Sequence, residues 1–454
     1  MRERIELNSR TPRDPAMRVG QRPAERMYDT FRRRTTAIRR HSLAPALALL
    51  FFVAPSAAGQ DSTRVLSPDS LSERLRRAEE AITLLRAQMA TEAESKVQSG
   101  ARVQVELFGR VLMNALINSA RVNNVDVPQF AVAGVGEGAT ATIRQTSFGV
   151  GVHVPHVLGG ALEGELLTDF FGGQQSSVGG RHFPLLRLRL AKGELRWDRA
   201  ELLFGQDVPL VAGLNPQSVA SFGTPEFATA GNLWLWIPQL RGTWVLSPKG
   251  GVAVQGALLA PGTGDAVGGF DTGFDEAERS GRPYVQGRVR VRVGSGDRPG
   301  EIGAGVHRGW LRRASGALVV SRAVALDAKI PLGPYVELRG EYYSGQALRG
   351  LGGGGIGQNL TTDSIAVRDR GGWWQAIVRP NSLWSVAAGC GVSDPRDTPP
   401  LPAQRLRNRA CSSEFTVRPG GPLLFSFGWR SHATRYPSGT VRNTHLNLAA
   451  GFEF

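Results

Sequence analysis

The chain has 454 residues, of which 57 are glycine and only four are lysine, and its formal net charge is +15 at pH 7. Its hydrophobic content is 41%, and it contains no central apolar run of about 18 residues, which argues against helical membrane spans and against a typical α/β enzyme. A transmembrane β-barrel is compatible with this composition, because its strands need only alternate apolar and polar residues.

The first 58 residues have the features of an export signal. Five arginines at positions 32–40 precede the apolar stretch 43–53, which is too short to span a bilayer. Ser56-Ala57-Ala58 follows with the small-x-small spacing of a signal peptidase site. We therefore predict an N-terminal extension and secretory signal peptide over residues 1–58.

A capping box and a heptad pattern then predict a helix. In Ser70-Leu71-Ser72-Glu73, the serine and glutamate side chains can each satisfy a free backbone N–H at a helix start. The apolar seam that follows is typical of a helix that pairs with copies of itself, although a solitary amphipathic helix lying on its own barrel is an alternative. Three heptads are marginal for an isolated coiled coil, so we expect a trimeric barrel to assist assembly. We predict a periplasmic linker and short coiled-coil helix over residues 59–98, with the seam Leu71, Leu75, Ala78, Ile82, Leu85 and Met89.

From Val103 the apolar period changes from 3.6 to 2, within the barrel that we predict over residues 99–454. Apolar residues such as Met113 alternate with polar residues such as Glu106 and Asn114, which predicts lipid-facing and lumen-facing sets. The same pattern recurs in about sixteen strands, an even number as expected for single-chain bacterial barrels. The predicted strands cover residues 103–118, 142–154, 161–171, 185–196, 200–206, 232–246, 251–260, 282–293, 301–310, 318–330, 335–345, 371–379, 384–393, 408–417, 423–434 and 441–454.

Short and long connections alternate along these strands, which is typical of short periplasmic turns and long external loops. The stretch 207–231 is one of the two longest loops, and a loop of this length without structure of its own is usually functional. We predict that it folds into the lumen and narrows it, with Asp207, Gln217 and Glu226 as polar lining. The alternative is that this loop stands outside the barrel.

The last predicted strand, 441–454, has apolar residues at the even positions from Leu446 to Phe454. Its terminal phenylalanine resembles the signal that outer-membrane barrels present to their assembly machinery, and an ordinary edge strand is the alternative. Aromatic residues, including Trp234 and Trp236, lie mainly toward predicted strand ends, as expected at a lipid–water boundary. We predict a location in the bacterial outer membrane, with Phe454 contacting the barrel assembly machinery.

No catalytic constellation is apparent in the sequence, and we expect neither enzymatic activity nor a cofactor or metal. The segment from Gly352 to Gly357 satisfies Gly-x-Gly-x-x-Gly, but a dinucleotide loop must follow a strand and open a helix, so we predict a flexible external hairpin. Cys390 and Cys411 lie at the alternating apolar positions of two neighbouring predicted strands, 384–393 and 408–417. They form either a disulfide or two free thiols packed in lipid.

Arginine recurs on the predicted lumen face. Leucines alternate with Arg187 and Arg189, and valines alternate with the arginines of strand 282–293, which places these guanidinium groups inside. A ring of arginines can bind carboxylate or phosphate oxygens and select anions in a pore. Alternatively, these arginines pair with inward-facing acids, including Glu337 and Glu341, and hold the wall rigid. The candidate pore-lining and substrate-binding residues are Arg187, Arg189, Arg241, Arg288, Arg290, Arg292, Arg339, Arg430, Glu163, Glu165 and Asp169.

Several short motifs occur in the order seen in the DcaP-like family of trimeric coiled-coil porins, which are similar in style to phosphate-selective porins. The chain resembles this family in Arg144-Gln145-Thr146-Ser147-Phe148-Gly149, in Glu165 through Asp169-Phe170-Phe171-Gly172-Gly173, and in Leu186-Arg187, Gly205-Gln206 and Pro238-Gln239-Leu240-Arg241. The resemblance implies a sixteen-stranded trimer that passes small anionic solutes such as dicarboxylates. Asp207-Val208-Pro209 departs from the family, in which an aromatic residue and a serine are usual at this point.

These features predict a passive outer-membrane porin, a homotrimer with an anion-preferring lumen, in which solutes diffuse without a covalent step. A second hypothesis is a structural barrel that anchors a periplasmic coiled coil without an open pore, although the helix over residues 71–97 is short for this purpose. The third hypothesis, an outer-membrane lipase or protease, requires a nucleophile near His432 or His445, and no spacing marks one.

Overall fold

The computed structural model describes residues 97–99, 103–174, 182–247, 251–265, 273–294, 298–361, 364–396 and 403–454. The predicted signal peptide and the predicted coiled-coil helix lie outside these residues. Among the described residues, no helix is long and apolar enough to cross a membrane.

The barrel is closed and antiparallel. β3 and β4 both pair with β2 and share one position, so β2 to β18 fill sixteen positions and confirm the predicted number. β18 closes the barrel on β2, with His445 opposite Asn118 and Glu453 opposite Arg110. The strands are β1 (Val97–Ser99), β2 (Val103–Asn118), β3 (Gly138–Thr142), β4 (Ser147–Val157), β5 (Gly160–Asp169), β6 (Arg187–Arg196), β7 (Ala200–Asp207), β8 (Ile237–Val245), β9 (Val252–Leu259), β10 (Tyr284–Val293), β11 (Gly300–Arg312), β12 (Leu318–Leu332), β13 (Val336–Gln346), β14 (Arg368–Val378), β15 (Trp384–Arg396), β16 (Arg407–Val417), β17 (Leu423–Tyr436) and β18 (Gly439–Glu453).

Two strands differ from the prediction. The strand predicted over residues 142–154 is interrupted between β3 and β4, where the Thr146 hydroxyl accepts a hydrogen bond from the Leu112 N–H at 3.1 Å in place of a ladder partner. The strand predicted from residue 232 begins at Ile237, because the preceding residues belong to a loop inside the barrel. Trp234 and Trp236 therefore lie in the interior, and their predicted position at the lipid–water boundary was wrong.

Side chains alternate between the two faces of the wall, as β12 illustrates. Val324, Leu326 and Leu332 point outward and are 57%, 57% and 51% exposed, whereas Ser321 and Asp327 point inward and are buried. The nine residues from Val324 to Leu332 extend about 27 Å along the strand, which is comparable, once the strand is tilted, to the apolar band of a membrane barrel. The outer face is therefore a lipid-facing apolar belt.

The two ends of the barrel differ in the length of their connections. At the short-turn end, the connections are residues 158–159, 197–199, 246–251, 294–299, 333–335, 379–383 and 418–422. At the long-loop end they are residues 119–137, 170–186, 208–236, 260–283, 347–367 and 397–406, together with two short ones, 313–317 and 437–438. This asymmetry agrees with the predicted arrangement of short periplasmic turns and long external loops.

An apolar core fills part of the barrel interior between the long loops and the wall of β8–β13. Leu233, Leu351 and Tyr343 are buried within it. The glycine-rich segment predicted to be a flexible external hairpin belongs to this interior, since Leu351 and Ile356 are fully buried and the short turn Gly354–Gly357 contacts β14 and β15. That prediction was wrong because the apolar residues among the glycines pack against neighbouring loops instead of facing water.

Candidate functional site

The connection between β7 and β8, residues 208–236, lies inside the barrel, and we call it the lumen loop. Every residue from Val219 to Trp234 is buried. Prolines at positions 209, 216 and 225 and glycines at positions 213, 223 and 231 suit it to irregular backbone. Such a segment has no ladder partners, so its backbone polar groups need other hydrogen-bond partners inside the barrel.

Side chains of the barrel wall supply these partners. Glu414 on β16 accepts three hydrogen bonds, from the Ser218 hydroxyl at 2.6 Å and from the N–H groups of Val219 and Ala220 at 2.8 and 3.0 Å. On β14, Gln375 both accepts from the Gln217 N–H and donates to the Gln217 carbonyl, each at 2.8 Å. The loop is therefore held by charge-assisted and bidentate contacts rather than by strand pairing.

Further contacts carry the lumen loop around the wall. The Glu341 carboxylate on β13 accepts from the Leu214 N–H at 2.8 Å. Gln145, in the gap between β3 and β4, accepts from the Phe222 N–H at 2.6 Å and donates to the Ala220 carbonyl at 2.9 Å. Because these partners lie on widely separated strands, the loop crosses the lumen instead of following one strand.

Guanidinium groups and aromatic rings alternate along one side of the lumen, and we call this arrangement the arginine–aromatic ladder. Its arginines come from the wall, whereas two of its rings, Phe222 and Trp236, come from the lumen loop. Stacking on a ring face leaves the edge of a guanidinium free to donate hydrogen bonds in its own plane. From one end to the other, the guanidinium-to-ring distances are Arg144–Phe171 4.6 Å, Arg187–Phe171 5.4 Å, Arg187–Trp236 5.2 Å, Arg189–Trp236 4.5 Å, Arg189–Phe222 4.1 Å and Arg110–Phe222 4.3 Å.

The predicted lumen residues all lie on inward-facing positions, and each of the eight arginines has an acidic partner within 4.0 Å. Their ion pairs are Arg187–Asp169 at 2.6 Å, Arg189–Asp169 at 3.6 Å, Arg241–Asp207 at 3.5 Å, Arg288–Asp327 at 2.5 Å, Arg430–Glu226 at 2.8 Å, Arg196–Glu163 at 2.5 Å and Arg339–Glu337. The pairing that sequence analysis offered as an alternative, in which acids brace the arginines, is thus present at these positions. Two guanidinium groups nevertheless share the single carboxylate of Asp169.

Exposure of the charged side chains increases toward the short-turn end. Arg288 is buried, but Arg292 on the same strand has 44% of its side chain exposed. The Glu301 carboxylate lies 3.0 Å from the guanidinium group of Arg288, 3.6 Å from that of Arg292 and 3.7 Å from that of Arg290. Three guanidinium groups therefore converge on one glutamate at this end of the lumen, and we call this group of charges the vestibule.

The three polar residues predicted for the lumen loop have different surroundings. Asp207 ends β7 and lies 3.3 Å from the Lys192 ammonium group. Gln217 is bonded to the wall as described, and Glu226 pairs with Arg430 behind the loop. Glu226 is buried, so it faces the wall rather than an open passage.

Sequence reasoning missed several members of this site, including Arg110 and Phe171 of the arginine–aromatic ladder. Arg144 lies in the strand interruption, and Phe222 and Trp236 belong to the lumen loop, so no strand parity indicated their direction. Lys192 faces the lumen, 3.5 Å from Glu165, because an irregularity between Leu167 and Thr168 shifts the register of β5 and β6. The signal that could have found Phe222 is the prediction that the loop 207–231 enters the lumen. Trp236 lies outside that predicted loop, in the strand predicted over residues 232–246.

The two cysteines lie directly opposite each other on β15 and β16. They face outward, away from the lumen, and the structure joins them by a disulfide.

At the long-loop end, Arg405 donates a hydrogen bond to the Ile356 carbonyl at 2.9 Å and stacks on Phe130 at 4.6 Å. Arg405 therefore links its own loop, 397–406, to the loops 119–137 and 347–367. Burial lowers the pKa of its guanidinium group.

A closed barrel with an apolar outer belt and a polar lumen satisfies all backbone hydrogen bonds within the membrane. This combination defines the class: the chain is a transmembrane β-barrel of the bacterial outer membrane. Among the described residues, no group of three or more side chains is arranged to hold a metal ion.

Solved structures share this fold. The outer membrane channel DcaP of Acinetobacter baumannii is 15% identical, with a TM-score of 0.62, and the match covers 79% of this chain and 100% of that chain. The anion-selective porin from Comamonas acidovorans is 12% identical, with a TM-score of 0.52 and coverage of 78% and 100%. Salmonella typhi OmpF in complex with daunomycin is 11% identical, with a TM-score of 0.51 and coverage of 79% and 100%.

These similarities confirm, at the level of the fold, the resemblance to DcaP-like channels. No family model matches the sequence, and no curated protein matches it.

Proposed function

We propose that this protein is a passive outer-membrane porin for small hydrophilic, anionic solutes. The observation that carries the proposal is the lumen loop, which lies inside a polar, closed barrel and brings Phe222 and Trp236 against wall arginines. A loop in this position sets the cross-section of the passage, and the arginines beside it set its charge. Solutes diffuse down their gradient, and no cofactor or covalent step is required.

The preference for anions rests on two places where several guanidinium groups share one carboxylate. Asp169 lies within ion-pair distance of both Arg187 and Arg189. In the vestibule, Arg290 and Arg292 share Glu301 with a third arginine. A carboxylate or phosphate passing these positions meets in-plane N–H donors. At Asp169 it also meets two guanidinium groups for one carboxylate.

The proposal extends to a homotrimer. Along β2–β9, the described outward-facing residues of the strands include no charged side chain, and large apolar residues are exposed there. Ile117, Leu188 and Leu240 are 51%, 46% and 50% exposed. Such a face suits contact with neighbouring barrels, in line with the coiled-coil helix predicted within residues 59–98. We further propose that residues 1–58 contain a secretory signal and that Phe454 engages the barrel assembly machinery.

Single-channel recording of the refolded protein in planar bilayers tests the proposal, with the reversal potential measured across a salt gradient. We expect conductance steps in threes and a reversal potential of the sign that indicates anion preference. A reversal potential that indicates cation preference would contradict the proposed anion preference, but the proposal of a porin would stand.

A specific observation favours a second candidate function, a structural barrel without an open pore. The lumen loop is buried from Val219 to Trp234, and an apolar core that includes Leu233 and Tyr284 occupies part of the interior. If the correctly folded barrel passes no current, this structural role replaces the porin.

A further inference from the structure

Arginines cluster on the outer face of the barrel, where they cannot serve the lumen. They occupy outward-facing positions of β11, β12 and β14–β18 at the long-loop end, just beyond the apolar belt. Among the described outward-facing residues of β11–β18, Asp394 is the one acid. The arginines are Arg308, Arg312, Arg322, Arg368, Arg370, Arg396, Arg407, Arg409, Arg435 and Arg442.

Several of these arginines lie directly opposite each other across strand pairs. Arg308 is the register partner of Arg322, and Arg407 is the partner of Arg435. Like charges directly opposite on one face of an antiparallel pair destabilise a sheet. Such a pattern is compatible with stability when an anionic partner lies over the face.

A groove on β14–β16 lies within this cluster. It has a volume of about 530 Å³ and is bordered toward the long-loop end by Arg370, Arg396, Arg407 and Arg409. Below these arginines its lining is apolar and includes Trp374, which is 55% exposed. The groove therefore presents a cationic upper part and an apolar lower part.

The one acid in the groove does not neutralise it. Asp394 lies 3.6 Å from Arg396 and 3.8 Å from Arg407, so two guanidinium groups share its carboxylate. On the other side of the groove, the Nε of Arg370 is shielded from solvent and has no hydrogen-bond partner among the described residues. The groove therefore has more guanidinium groups than carboxylates, and the Nε of Arg370 lacks an acceptor among the described residues.

We propose that this groove binds the phosphate-bearing head of an outer-leaflet glycolipid, with the lipid chain against Trp374 and the apolar belt. A phosphate group accepts bidentate hydrogen bonds from guanidinium groups. Its attachment to a lipid accounts for the apolar lower half of the groove and for its position at the membrane boundary. The inference rests on the outer-membrane placement of the proposed porin but not on an open pore.

The test is binding of purified lipopolysaccharide to the refolded full-length protein in detergent at physiological salt, followed by native mass spectrometry. Two variants with equal charge change are compared: Arg370→Gln/Arg409→Gln in the groove, and Arg308→Gln/Arg322→Gln on the same rim outside it. We expect the groove variant to lose roughly twenty-five-fold in affinity, about fivefold for each arginine. The rim variant is expected to lose less than about threefold, because salt screens charges more than about 8 Å away.

Dephosphorylated lipopolysaccharide provides a second measurement that does not depend on any variant. Wild-type protein is expected to bind it as weakly as the groove variant binds the intact lipid. Equal binding of the two lipids would overturn the proposal, and so would equal losses in the groove and rim variants, which would indicate general surface attraction.

Conductance of the same variants separates this proposal from the proposed function. The groove arginines face away from the lumen, so single-channel conductance is expected to be unchanged in Arg370→Gln/Arg409→Gln. A wild-type protein that binds the lipid but conducts no current would overturn the porin and leave the lipid site. Normal conductance without phosphate-dependent binding would overturn the lipid site alone.

Discussion

Phe454 and Gly109 are paired across the seam that closes the barrel. Each backbone N–H donates to the carbonyl of the other at 3.0 Å. A Cβ at Gly109 would lie 2.7 Å from the Phe454 ring and 2.5 Å from the Ser147 carbonyl oxygen. The aromatic ring therefore occupies the space left by the glycine, and both residues contribute to closure.

Gly109→Ala is expected to weaken this closure, because the added methyl group displaces the Phe454 ring and the β4 backbone. We expect the free energy of unfolding to fall by about 3 kcal/mol. Denaturant titration of the refolded barrel, followed by tryptophan fluorescence, measures the change. The matched control is Gly256→Ala on β9, where no atom lies within 4 Å of the added Cβ. Equal stability of the two variants would contradict the proposed packing.

Glu414→Ala is expected to loosen the lumen loop, because it removes the acceptor for Ser218, Val219 and Ala220. Two buried N–H groups without partners cost about 2 kcal/mol. We expect larger and noisier single-channel currents than in the wild type. Glu194→Ala is the control, since Glu194 pairs with the exposed Arg196 at the short-turn end. Unchanged currents in Glu414→Ala would show that the loop does not limit conductance.

Arg187→Gln/Arg189→Gln is expected to reduce the selectivity of the pore for anions. The double change removes two guanidinium groups from the arginine–aromatic ladder and leaves the Asp169 carboxylate. We expect the ratio of anion to cation permeability to fall by about fivefold, which corresponds to roughly 1 kcal/mol. The reversal potential in a salt gradient measures this ratio, with Arg199→Gln in the turn 197–199 as the control. A selectivity equal to that of the control would exclude the ladder as the source of anion preference.

Two arginines of β10 are expected to respond differently to neutralisation. Arg288→Gln leaves the buried Asp327 without its cation, so we expect a loss of about 3 kcal/mol in stability. Arg292 is 44% exposed, and its replacement is expected to cost less than about 1 kcal/mol. Denaturant titration of both variants gives the comparison, and equal costs would contradict the different burial of the two side chains.

Removal of the Cys390–Cys411 disulfide is expected to destabilise the barrel. The cysteines are 21 residues apart, and closing a loop of this length restricts the unfolded chain by about 3 kcal/mol in the chain-entropy model. Unfolding with and without a reducing agent measures the effect in the wild type. Cys390→Ser/Cys411→Ser serves as the control and should not respond to the reducing agent. A wild type that is equally insensitive would indicate free thiols.

Strand positions could be predicted because each strand carries its own signal. Alternation along β12 follows from the requirement that one face meets lipid and the other meets polar groups. The same parity placed Arg187, Arg288 and Arg430 toward the lumen. Parity does not reveal partners, however, so the choice between anion-binding and wall-bracing arginines required the positions of Asp169, Asp327 and Glu226.

The lumen loop shows where local patterns were insufficient. Its prolines, glycines and length indicated an irregular functional segment. Residues 232–236 were nevertheless assigned to a strand, because the apolar run from Leu233 to Trp236 continues directly into the strand that begins at Ile237. Phe222 and Trp236 are drawn inward by contacts with arginines that are distant in sequence. Contacts between residues distant in sequence do not produce a periodic pattern in the sequence.

The sequence by itself determined the barrel, its number of strands and the inward or outward direction of most strand residues, because a membrane strand must alternate at every second residue. Only the tertiary structure decided the path of the lumen loop, the order of the arginine–aromatic ladder and the groove on β14–β16. Each of these depends on side chains brought together from different strands and loops, and their energies are set by partners that closure of the barrel places side by side.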